Sequence, residues 1–122
     1  MPQDDRAALT RYARRWADAA WVQGWHAHAI NVLDRAIELN PACYKLHRKR
    51  GVFLLLCPDQ TVRDEEQAFA DLRCACELSG WRDDLVRWVI ALLTDNGDVP
   101  QANAIARELA ARGRKPDGDG GA

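Results

Sequence analysis

Seven side chains in this 122-residue chain have the types that most often do chemistry: His26, His28 and His47, with Cys43, Cys57, Cys74 and Cys76. A structural metal needs about four such ligands converging on one point. His26 and His28 are two residues apart in a helical stretch and so do not share a face. Cys43 and His47 are four apart and do share one, but two ligands do not make a zinc site. Cys74-Ala75-Cys76 is a C-x-C pair and lacks the C-x-x-C spacing of zinc or thioredoxin-like sites. No metal and no cofactor are expected. Cys57 and Cys76 read as small apolar core residues. Cys43 starts one helix, and Cys74 and Cys76 lie near the end of its antiparallel partner, where a reversible disulfide could form. The polar segment Met1–Thr10 reads as no secretory leader, so reduced thiols in a cytoplasmic protein are the expected state. The acid pairs Asp4-Asp5, Glu65-Glu66 and Asp83-Asp84 each fall at a helix start, where negative charge meets the positive end of the helix dipole. No nucleophile elbow, phosphate loop or metalloprotease motif is present. The sequence therefore points away from an enzyme.

The elements that carry these residues are helical. Hydrophobic residues make up 48% and charged residues 29%, a globular balance that excludes wholesale disorder. Seventeen basic and eighteen acidic side chains give a net charge of −1, so nothing draws the whole chain to nucleic acid or an anionic membrane. No apolar run approaches the roughly 20 residues of a membrane span. The three-and-four spacing of apolar residues predicts six helices. They run over about Asp5–Val22, His26–Leu39, Ala42–Leu56, Asp64–Ser79, Asp83–Asp95 and Val99–Arg112. Gly24, Asn40-Pro41, Cys57-Pro58, Gly80 and Asn96-Gly97 punctuate them. Leu9, Tyr12, Ala13, Trp16, Ala17 and Ala20 read as the buried face of the first helix. Asp64 with Gln67 fits a capping box at the start of the fourth. Residues 113–122 are Gly- and Asp-rich with little to bury, and read as a mobile tail.

The helices repeat. Ala29, Leu33, Ala36, Glu38 and Leu39 recur as Ala68, Leu72, Ala75, Glu77 and Leu78, 39 residues on, and Ala68 recurs as Ala102 after a step of 34. The extra five residues sit in the loop Cys57–Arg63. A helix pair of period 34 resembles the tetratricopeptide repeat. Ala29, Ala36 and Pro41, then Gly51, Ala68 and Ala75, then Gly97 and Ala102 carry the resemblance, with repeats at about 9–41, 42–80 and 81–112. Trp88 and Leu109 depart from it, standing where small residues are usual. Cys57-Pro58-Asp59, Arg63-Asp64, Ala75-Cys76-Glu77-Leu78 and Trp81 further resemble a bacterial subtype met in planctomycete proteins. The resemblance implies an all-α fold of three antiparallel helix pairs stacked in a right-handed superhelix. It implies a scaffold or adaptor that binds another protein or peptide.

In such arrays the first helix of each pair lines a concave groove. The groove positions fall here on Arg11, Arg14, Arg15 and Asp18, then Lys45, Arg48, Lys49 and Val52, then Arg82, Leu85, Val86 and Val89. Of these, Arg14, Arg15, Lys45, Arg48, Lys49 and Arg82 are the expected contacts, a basic set suited to an acidic peptide with apolar anchors. Arg14 and Arg82 resemble the basic half of a carboxylate clamp, but Asp18 and Lys49 stand where its asparagines would be. A second surface is the apolar stripe Leu85, Val89, Leu92 and Leu93. If its neighbours leave it bare, a homodimer is the expected result.

Overall fold

The computed structural model describes residues 3–113, with side chains described from Asp5 onward. Every regular element among them is an α-helix: α1 (Gln3–Val22), α2 (His26–Leu39), α3 (Tyr44–Leu56), α4 (Glu65–Leu78), α5 (Asp83–Asp95) and α6 (Val99–Gly113). The all-α expectation holds, and the helix ends lie within two residues of those read from the sequence. The tail expected at 113–122 falls, after Gly113, outside the described residues. The chain divides into two compact units, the first holding α1–α4 and the second α5 and α6.

The turn after α1 and the turn after α5 are built alike. Gly24 (φ 83°) and Gly97 (φ 84°) occupy the left-handed region, where a Cβ is costly. Past each glycine an amide reaches back five residues, Trp25 N–H to the Ala20 carbonyl and Asp98 N–H to the Leu93 carbonyl. These bonds satisfy carbonyls that the helix end leaves open. At the start of α4, Asp64 accepts from the Gln67 amide at 3.0 Å. The reciprocal half of the box is not made: the Gln67 side chain turns to Asp71, and the Asp64 amide donates to the Leu54 carbonyl.

One core assignment is corrected. Leu9, Tyr12 and Trp16 are not core; they are 40%, 67% and 50% exposed. The face of α1 that goes inside carries Thr10, Ala17 and Ala20, opposite Ala29, Ile30 and Leu33 of α2. Small residues let two helix axes approach closely, and the bulky side chains of α1 are left on the outside.

The pair α3/α4 closes differently. Gly51 sits so near α4 that a Cβ there would lie 3.0 Å from the Leu72 side chain and 3.1 Å from Asp71 Cβ. Beside it Arg50 forms a two-pronged pair with the buried Asp71, both bonds 2.8 Å, and a third bond of 2.8 Å to Asp34 on α2. Burial alone would raise the Asp71 pKa; the Arg50 guanidinium overrides it and holds the carboxyl below its ordinary range. His47 donates from Nε2 to the Pro41 carbonyl at 2.8 Å, and its Nδ1 lies 3.6 Å from Asp71 Oδ1. A carbonyl can only accept, so Nε2 carries the proton, and the neutral ring would point a lone pair at a carboxylate. The Asp71 carboxylate accordingly raises the His47 pKa against the opposing effect of burial, and the Pro41 carbonyl adds to the rise.

Candidate functional site

A basic concavity lies where the loop between α2 and α3 meets α1. It has a volume of about 570 Å³. Arg6, Thr10 and Arg14 of α1, at steps of four, form one wall together with Arg11, three residues before Arg14. Asn40, Tyr44 and Lys45 form the other. Among the described residues, four cationic side chains line it and no carboxylate does. The buried Nε of Arg14 has no hydrogen-bond partner among the described residues. The first turn of α3 adds the positive end of its dipole, and Cys43 at the N-cap contributes no side-chain cap. Thr10 fixes the wall: its hydroxyl donates to the Arg6 carbonyl at 2.9 Å and accepts from Asn40 at 3.2 Å.

Of the six groove residues read from the sequence, Arg14 and Lys45 come together here. Arg15, Arg48 and Lys49 do not line the pocket. Lys49 is committed elsewhere, to Asp18 at 2.7 Å and to the face of the Phe53 ring at 5.5 Å. Phe53 in turn stacks on Trp21 of α1, with ring centres 4.1 Å apart. Arg82 belongs to the second unit, where it pairs with Asp84 at 2.8 Å. Arg6 and Tyr44 were not foreseen. Arg6 lies eight residues before Arg14 with Thr10 midway, one row of the helix at steps of four, and that spacing is the signal that could have found it.

Comparison of the chain with family models, curated proteins and solved structures gives no match. The site must therefore be read from its own chemistry.

The remaining candidates are not assembled as the sequence suggested. Leu85, Val89 and Leu93 of the proposed self-association stripe are 5%, 0% and 2% exposed, and Leu92 is half-buried. That stripe is part of the chain's own interior and is not a free surface. His47 is committed to Pro41 and Asp71, away from a metal-ligand role with Cys43. No group of three His, Cys, Asp or Glu side chains among the described residues is arranged to hold a metal. All four cysteines are free thiols, with Cys57 and Cys76 buried as read and Cys43 and Cys74 half-buried. Burial pushes the Cys76 thiol up to about 11 and raises Cys74 as well, which lowers the thiolate fraction that redox chemistry needs. The acid pairs Glu65-Glu66 and Asp83-Asp84 occupy the first turns of α4 and α5. No described helix is long and apolar enough to cross a membrane.

Proposed function

We propose that this chain is a non-catalytic, tetratricopeptide-like binding module that holds an acidic segment of another protein in the basic pocket between α1 and the start of α3. The observation that carries this reading is the convergence of Arg6, Arg11, Arg14 and Lys45 on one concavity with no carboxylate among the described residues of its walls. Arginine pairs with carboxylates through two parallel bonds, and such charge-assisted bonds are about twice as strong as neutral ones. Asn40 and Tyr44 add neutral polar contacts that fix orientation.

The 34-residue period, the matching glycine turns and the helix pairing support the tetratricopeptide-like reading. The pocket favours acidic ligands as a class, and the full two-asparagine carboxylate clamp has no counterpart in it. A fluorescent peptide rich in Asp and Glu, titrated with the protein and followed by anisotropy, tests this. Binding should weaken as salt rises, and Lys45→Glu should weaken it about tenfold and flatten the salt dependence. Equal affinity of wild type and Lys45→Glu would remove the pocket from the account.

A further inference from the structure

The outer face of the first helix pair carries a second concavity of quite different chemistry. It is a groove of about 390 Å³ running between α1 and α2. Leu9, Tyr12 and Trp16 of α1 face Val32, Ala36 and Leu39 of α2 across it. Leu39 is 55% exposed, so with Leu9, Tyr12 and Trp16 four large apolar side chains lie open to water on this one face. Tyr12 and Trp16 stack obliquely at 6.2 Å, and Trp16 meets His28 edge-on at 5.7 Å, which gives the groove a defined aromatic end. Among the described residues the walls contain two cations, Arg6 and Arg35, and no carboxylate. Arg35 holds an exposed pair with Glu38 at 3.5 Å, which is readily exchanged.

We propose that this groove seats one amphipathic helix of a partner protein, with bulky aliphatic side chains on one face and carboxylates flanking them. Its α1 wall, from Arg6 to Trp16, rises about 15 Å, or three helical turns. Its residues recur on each helix at three and four, the spacing that receives a third helix as ridges enter a groove. Charge decides between occupants. A second copy of this chain, docked by the same face, would bring the same arginines against one another, because a two-fold interface sets a patch against itself. A partner with carboxylates at the flanks gains from both. This inference does not depend on the basic pocket, which shares only the Arg6, Thr10 and Asn40 edge with the groove.

The test uses the full chain and two labelled peptides of about 18 residues, five helical turns. Both carry one leucine stripe at helical spacing; one has glutamates beside the stripe and the other lysines. Anisotropy should show the glutamate peptide binding at least tenfold more tightly than the lysine peptide. Trp16→Ala should weaken it tenfold or more with helicity unchanged by circular dichroism. Arg35→Glu should invert the preference between the two peptides, and Lys45→Glu, outside the groove, should leave it intact. Equal binding of both peptides, no binding of either, or indifference to Trp16→Ala would overturn the proposal. So would loss to Lys45→Glu alone, which would place the peptide in the basic pocket. Sedimentation showing a dimer that Trp16→Ala abolishes would overturn it in favour of a second copy.

Discussion

The two helix pairs of the first unit share a period but are held together by opposite means. α3/α4 closes on a glycine and locks with a buried ion pair that also reaches α2. α1/α2 closes on alanines and keeps Tyr12, Trp16 and most of its arginines outside. The first arrangement places polar groups in the interior, where each must be satisfied, and leaves that joint intolerant of change. The second leaves the outer faces of α1 free to carry two unlike surfaces, one cationic and one apolar. One pair is the frame and the other the display. This difference can be broken or sharpened by mutation.

The largest effect is expected at Asp71. Asp71→Ala leaves the largely buried Arg50 guanidinium with its 2.8 Å bond to the more exposed Asp34, and removing one partner of a buried pair costs about 3–5 kcal/mol. Urea unfolding followed by circular dichroism should show it as a lower midpoint. A cost under about 1 kcal/mol would mean that Arg50 finds Asp34 alone sufficient. Gly51→Val comes next. Its branched side chain must displace Leu72 or Asp71, and overpacking of this kind costs about 1–3 kcal/mol.

The pH dependence of the same joint is smaller. The His47 pKa is raised in the fold, so its stabilisation is fully present below the ordinary histidine value of about 6.5 and is lost as pH rises through the folded value. The urea midpoint should fall between pH 6 and pH 8, and His47→Gln should flatten that part of the curve. Asp71, whose pKa is lowered, acts at the acid end: its contribution is present above the ordinary carboxylate value and disappears as pH falls through the folded one. The display pair should show the least change in stability. Trp16→Ala removes a half-exposed side chain and should move stability by no more than about 0.5 kcal/mol. A larger loss would make Trp16 part of the frame.

How much of this was legible in the sequence varies by feature. The six helices were, because Gly24, Pro41, Gly80 and Gly97 interrupt the chain through backbone restrictions that do not depend on tertiary context. The phase of α1 was not. Leu9, Tyr12 and Trp16 form a convincing apolar stripe, and Thr10, Ala17 and Ala20 a weak one, yet the weak stripe is inside. A hydrophobic pattern counts apolar area, whereas the α1/α2 contact selects for small volume. Arg14 and Lys45 were legible as groove residues, and the engagement of Lys49 with Asp18, 31 positions away, was not. The Arg50–Asp71 pair escaped for the same reason. Asp71 stands among Ala68, Leu72 and Ala75, and a carboxylate on an otherwise apolar face was the one local sign of a buried partner.

The central claim is that α1 carries two separable binding surfaces, and a crossed titration tests it most directly. The Asp/Glu-rich peptide and the leucine–glutamate helix are each titrated against wild type, Lys45→Glu and Arg35→Glu at one fixed ionic strength. The account predicts that Lys45→Glu weakens only the first peptide and Arg35→Glu only the second, each by about tenfold, or about 1.4 kcal/mol. Parallel loss of both peptides on either substitution would contradict it, and would reduce the two surfaces to one diffuse field of positive charge.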